Sequence, residues 1–217
     1  TLSSSSAASD VYKRQATRNA TITAANNITM GIAGATTNAT GGITTYTAGN
    51  NLAVNTIDVG ANALSLTATA GSIADANGVS LNVTADTVDF ISATGIDLDL
   101  SHAGTLNINQ ALATSGGNID LENLDGSGGF TLLGNVAAGT GQVQLTANAD
   151  VLQTGGTLTA ADLIINTTAG AVNVATALID TADISATGAI SLGDTGTLQI
   201  NRMNSTAAGD INVTTIG

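Results

Sequence analysis

Two aspartates lie on one predicted strand, and they are the residues best suited to acid–base chemistry. Asp97 and Asp99 alternate with Ile96, Leu98 and Leu100. A period of two places both carboxylates on one face, about 7 Å apart, and outward if the aliphatic residues are buried. Such a pair can divide the acid and base roles of glycoside cleavage. Basic and aromatic residues that would hold a sugar are scarce, so we favour a solvated acidic face, with a polysaccharide-active solenoid enzyme as the alternative.

A second acidic group stands beside a glycine-rich segment. Asp120, Glu122 and Asp125 precede Gly126-Ser127-Gly128-Gly129. Carboxylate oxygens are suitable ligands for Ca²⁺. The chain lacks the tandem Gly-Gly-x-Gly-x-Asp pattern of glycine-rich calcium repeats, so the favoured interpretation is a flexible acidic loop, and calcium binding is the alternative. No Lys follows these glycines, which excludes a phosphate loop.

The single histidine, His102, lies between two predicted strands, where a solvated corner residue is expected. No Ser-His-Asp spacing surrounds it, and the chain has no Cys to act as a thiol nucleophile. The sequence therefore predicts no catalytic residue, no cofactor and no metal ligand, and we expect no enzymatic activity.

Threonine suggests a further alternative, an ice-binding β-solenoid, because outward threonine ladders can order water. One cluster contains Thr36, Thr37, Thr40, Thr44, Thr45 and Thr47. Elsewhere threonine is scattered, and the sequence indicates no fixed Thr-x-Thr register. The pattern favours threonine as a strand-forming residue.

Composition bounds the class of protein. The 217 residues include no Pro, Cys or Trp, only 2% aromatic residues and 9% charged residues. Large side chains that would fill a thick core are therefore scarce. The formal net charge of −12 disfavours binding to nucleic acid or to anionic lipid. No apolar run reaches the ~20 residues of a membrane helix.

Short apolar pairs separated by one polar residue recur along the whole chain. Good copies are Leu81-Asn82-Val83, Ile119-Asp120-Leu121, Val172-Asn173-Val174, Ile190-Ser191-Leu192 and Leu198-Gln199-Ile200. Each copy predicts a strand of three to five residues with its apolar side chains inside and its polar side chain in solvent. No helical periodicity competes with this alternation.

The spacing of these strands predicts a parallel β-helix, or β-solenoid. Strands group in threes into turns of roughly 18 to 24 residues, a period typical of solenoids. Stacked turns pair the backbone groups of short strands and enclose a narrow core. We expect about nine or ten turns. The glycines at the predicted corners are Gly95, Gly104, Gly117, Gly141, Gly170 and Gly188, and we expect them to adopt positive φ.

The first fifteen residues differ from the rest. Residues 5–15 resemble a translated sequencing-library adapter, so we predict a non-native or disordered tail over residues 1–15. Residues 16–217 are then one β-solenoid segment, which we expect to be incomplete at both ends.

The repeated Gly-x-Ile-x-Leu units and the phrases Thr94 to Leu100 and Gly170 to Val174 resemble the shaft of filamentous-haemagglutinin-like adhesins. The resemblance covers nearly all of residues 16–217. It implies a right-handed parallel β-helix, secreted through an outer-membrane partner to the cell surface of a Gram-negative bacterium. It further implies a structural role in holding a binding region, for a glycan or surface receptor, away from the cell.

Overall fold

The structure, a computed structural model, describes residues 2–4, 14–16, 19–31, 37–39, 41–207 and 209–216. Within them every regular element is a β-strand. The strands are β1 (Leu2–Ser4), β2 (Arg14–Ala16), β3 (Ala20–Ala24), β4 (Ile28–Thr29), β5 (Thr37–Ala39), β6 (Ile43–Ala48), β7 (Leu52–Val54), β8 (Ile57–Asp58), β9 (Ala63–Ala68), β10 (Ile73–Asp75), β11 (Val83–Thr84), β12 (Thr87–Ser92), β13 (Ile96–Ser101), β14 (Thr105–Ala113), β15 (Ile119–Asn123), β16 (Gly129–Leu132), β17 (Val136–Ala137), β18 (Gln142–Ala147), β19 (Val151–Gln153), β20 (Leu158–Thr167), β21 (Val172–Ala186), β22 (Ile190–Asp194), β23 (Gln199–Ser205) and β24 (Ile211–Thr215).

The strands stack in parallel along the coil. One stack runs through β1, β3, β6, β9, β12, β14, β16, β19, β21, β22 and β24. A second runs through β4, β7, β10, β13, β15, β18, β20, β21 and β23. Short strands such as β8, β11 and β17 pair at a corner between them. Strands β2 and β5 pair only with each other. The chain is thus the predicted β-solenoid, with about nine turns.

The length of a turn is not constant. Thr44 pairs with Ala20 but also, one turn later, with Leu64, so that successive turns take 24 and then 20 residues. The extremes lie at Val83, which pairs back to Ile57 and forward to Leu100. Because the pairing still closes in register, the loops at the corners absorb the differences in length.

The core is narrow and aliphatic, as the composition indicates. Inward side chains alternate with outward ones, so β13 buries Ile96, Leu98 and Leu100, while β9 buries Leu64 and Leu66. The largest fully buried residues are Phe90 and Phe130. One continuous cluster of buried residues connects the turns, as expected where each turn packs on its neighbours.

Two details of the predicted strands are wrong. First, strands reach 9, 10 and 15 residues in β14, β20 and β21, because each of these strands continues through a corner with a shift of register. Second, Asn82 is fully buried rather than solvent-facing. Its side-chain amide donates to the carbonyls of Val54 and Asn55 and to side-chain oxygens of Asp75 and Asn77, and its oxygen accepts from the backbone N–H of Asp99. These bonds satisfy a polar group in the core.

The corner glycines have two different causes. Gly95, Gly104 and Gly117 adopt the expected positive φ. Gly141, Gly170 and Gly188 do not. At Gly170 a Cβ would collide with the backbone of Ala149, one turn earlier, so the need there is for close approach between turns rather than for a left-handed backbone.

The last strands are less covered than the sequence predicts. Ile200 and Ile211 are 45% and 46% exposed, because in the described residues β23 and β24 each stack on a neighbour at one side only.

Residues 5–13 lie outside the described part of the chain, so the proposed adapter origin of the N-terminal residues stays a prediction. The described residues contain no helix long and apolar enough to span a membrane.

Candidate functional surfaces

An acidic face lies on the second stack. We use this name for the side chains of Asp75, Asp97, Asp99, Asp120 and Glu122. Strands β13 and β15 pair so that Asp97 stands opposite Asp120 and Asp99 opposite Glu122. Because adjacent strands lie about 4.8 Å apart, two pairs of like charges are stacked across one turn. Asp97 and Asp99 point outward, as predicted, since Ile96, Leu98 and Leu100 fill the core.

Burial and mutual repulsion raise the pKa values on this face. The pKa of Asp99 is raised to about 6, first by partial burial and then by the charges of Glu122, Asp75, Asp97 and Asp120. The pKa of Asp97 is raised by burial and by Asp75. The pKa of Asp120 is also raised, mainly by burial and by Asp97, although a hydrogen bond from Gln144 at 3.2 Å opposes the shift.

No cation offsets these charges. Two ion pairs occur among the described residues, His102 with Asp86 and Arg202 with Asp183, and neither reaches the acidic face. Asp99 therefore exchanges a proton within reach of neutral pH, which is a requirement for a general acid.

Asp75 is held in place at one edge of the face. Its Oδ1 accepts hydrogen bonds from the amide of Asn82 at 2.8 Å and from the backbone N–H of Asn77 at 2.7 Å. The loop of residues 76–82 starts here and carries Val79, which is 97% exposed. An open depression of about 420 Å³ lies beside it, with Ala74, Asp97 and Asp120 in its lining.

The structure does not bring Asp125 together with Asp120 and Glu122 as a metal site. In the described part of the chain, no three acidic or histidine side chains are grouped so that they could hold a metal ion. The carboxylate of Asp125 instead accepts hydrogen bonds from the backbone N–H and hydroxyl of Ser127, which lower its pKa.

The adjacent glycines serve packing. A Cβ on Gly128 would collide with the side chain of Asn123, and one on Gly129 would collide with the backbone of Asp150. The turn is tied down further by the amide of Asn148, which donates to the carbonyl of Asp125 at 2.8 Å. Local packing thus accounts for the glycine-rich segment.

His102 lies at the corner between β13 and β14, half-buried. Its Nε2 is 3.7 Å from Oδ1 of Asp86, and its backbone N–H donates to Asn123 at 3.3 Å. No hydroxyl nucleophile is hydrogen-bonded to the imidazole in the described residues, so its contacts are those of a corner residue.

A second surface lies on the first stack, and the sequence interpretation missed it. We call it the threonine ladder: Thr21 and Thr23 on β3, Thr45 and Thr47 on β6, and Ser65 and Thr67 on β9. Thr21, Thr45 and Ser65 stand in register on successive turns, and so do Thr23, Thr47 and Thr67. All six side chains are exposed or half-buried. The expectation that no fixed Thr-x-Thr register exists is therefore wrong over these three turns.

The ladder was hidden because the turns differ in length. Its signal in the sequence is the recurring ending Thr-Ala, in Thr-Ile-Thr-Ala, Thr-Tyr-Thr-Ala and Ser-Leu-Thr-Ala, which closes at Ala24, Ala48 and Ala68. A search for a constant period misses copies spaced by 24 and 20 residues. Of the clustered threonines, Thr36 and Thr40 lie outside the described residues.

Fold and surfaces together define the class: the chain is a parallel β-solenoid repeat protein whose outward faces differ from turn to turn. Comparison with protein families, with curated proteins and with solved structures finds no match to this chain.

Proposed function

We propose that this chain is a segment of the shaft of a secreted, surface-exposed bacterial adhesin, which holds a receptor- or glycan-binding region away from the cell. The proposal extends to export through an outer-membrane partner of a Gram-negative bacterium. The observation that carries it is the unbroken parallel stacking of about nine turns, which at about 4.8 Å per turn gives a rod of roughly 45 Å.

Bonds between side chains and backbone of successive turns support a mechanical role. Asn27 accepts the backbone N–H of Asn51, whose own side chain accepts that of Ser72, each at 3.0 Å. Asn118 and Asn135 bind the N–H groups of the following turn in the same way, at 3.1 and 3.0 Å. These bonds satisfy corner N–H groups that the strand ladder leaves free, so corners as well as strands are fastened along the rod.

The first test is to recover the complete reading frame from source DNA. An export domain upstream and many further turns of this kind would support the exported shaft. A short frame closed by capping segments, with basic and aromatic residues opposite Asp97 and Asp99, would overturn it.

A deletion then tests the mechanical role within that full protein. Ile96 pairs with Ile119, so removal of residues 97–119 takes out one complete turn and keeps the register. We expect this variant to fold, to adhere and to be shorter by about 4.8 Å. The matched control, removal of residues 108–119, breaks the register and should lose both fold and adhesion. Loss of receptor specificity in the whole-turn variant would contradict a purely mechanical role.

The acidic face favours a second candidate, cleavage of a polysaccharide. Asp99, with its pKa raised to about 6, would act as the acid, and an ionised neighbour one strand away would act as nucleophile or base. The measurement is release of reducing ends from neutral and acidic polysaccharides by the wild type, by Asp99→Asn and by a control, Asp210→Asn, at the far end of the coil. Activity lost only in Asp99→Asn supports an enzyme, and no activity in the wild type rejects it.

A further inference from the structure

The threonine ladder is a two-dimensional array of small hydroxylated side chains. Its columns run across the turns with about 4.8 Å between neighbours, and its rows join residues two apart on one strand, about 6.6 Å. The pairing of β3, β6 and β9 contains no shift of register. The first shift in this stack comes two turns beyond Thr45, between Val88 and Asp89.

The hydroxyl groups of the ladder are not used within the protein. Many other threonines of the described residues bond internally: Thr114 donates to the carbonyl of Ser92, Thr167 to that of Gly170, and Thr181 to the carboxylate of Asp162. In contrast, none of the six ladder side chains makes a hydrogen bond to the rest of the described chain. All six hydroxyls are thus free to bond outward.

The array is also rigid and uncharged. Threonine is β-branched, which restricts χ1, and the inward residues between the ladder positions, Tyr46 and Leu66, are fully packed. No ladder position is charged, whereas the next turn places Asp89 and Ile91 in register with Ser65 and Thr67. A ligand that meets the ladder loses little of its binding energy to ordering the protein.

We propose that the threonine ladder binds ordered water at the surface of ice. Its two repeats approximate the spacing of water oxygens on a face of hexagonal ice, and each rung offers a hydroxyl beside a methyl group. A ligand of this kind needs a periodic, neutral and rigid surface rather than a pocket. The proposal goes beyond the shaft role and does not depend on it.

The test is made with the full chain on polycrystalline ice. We expect the wild type to slow recrystallisation and to separate the freezing and melting temperatures. Thr47→Tyr places a bulky side chain at the centre of the ladder and should abolish both effects. Thr45→Leu, a smaller change, provides a second ladder variant should Thr47→Tyr fail to fold, and the same loss is expected.

The matched control is Thr146→Tyr, because Thr146 also points outward from a strand but lies on the second stack, in register with Glu122. It should keep the activity of the wild type. Inactivity of the folded wild type would overturn the proposal, and so would equal losses in the ladder and control variants. Binding to powdered cellulose or chitin without any effect on ice would overturn it too, by assigning the ladder to a polysaccharide.

Discussion

The threonine ladder and the acidic face lie on the same coil, yet they have opposite properties. The strands behind both bury aliphatic residues, such as Leu66 in β9 and Leu121 in β15. In front, the ladder carries uncharged hydroxyls, while the acidic face stacks Asp97 on Asp120 and Asp99 on Glu122.

The difference shows that the inward residues fix the fold and leave the outward positions open to variation. Outward residues contribute to stability mainly through pairs across turns, which are worth a few tenths of a kcal/mol each. A turn can therefore exchange one face for another at small cost. This division makes the two faces comparable by matched substitutions.

The largest expected effect comes from the shared core. Leu66→Ala behind the ladder and Leu121→Ala behind the acidic face should each lower the free energy of unfolding by about 3 kcal/mol, because both side chains are fully buried. Urea unfolding followed by circular dichroism measures this. Clearly unequal losses would show that the two regions do not share one kind of core.

A smaller loss is expected at the anchor of the acidic face. Asn82→Ala removes the amide that binds Asp75 and the carbonyls of Val54 and Asn55, which should cost about 2 kcal/mol because buried carbonyls lose their partner. The control, Asn62→Ala, removes a bond to the exposed Gly41 N–H and should cost less. Equal losses would mean that the buried network adds nothing to this turn.

Charge can next be moved from one face to the other. The double variant Thr45→Asp with Ser65→Asp creates on the ladder a like-charge pair in register, and it should lower the free energy of unfolding by about 0.5 kcal/mol at pH 7. The single variants serve as controls, because each lacks the facing charge. Additive effects in this double-mutant cycle would remove the argument that stacked charges destabilise the acidic face.

The fold was predictable because it depends on alternation within short segments. That pattern placed Asp97 and Asp99 outward correctly. Asn82 was misjudged because the same pattern extends into a loop whose carbonyls need an internal donor. The stacking of Asp97 on Asp120, and of Thr45 on Ser65, could not be predicted because it depends on loop lengths that change at every turn.

The smallest expected effect, a dependence of stability on pH, separates the two faces most directly. Because the pKa of Asp99 is raised to about 6 from its ordinary 3.8, the folded chain takes up a proton at a higher pH than the unfolded chain does. The free energy of unfolding should therefore rise as the pH falls from about 6 to about 4.

Urea midpoints at several pH values measure this rise. Asp97 and Asp120, whose pKa values are also raised, act in the same direction, so Asp99→Asn should reduce the rise without abolishing it. Asp210→Asn serves as the control and should leave the rise unchanged. The ladder has no titratable group, so Thr47→Tyr should leave it unchanged as well. A midpoint that falls with acidification across this window would show that the stacked carboxylates do not repel one another in the folded chain.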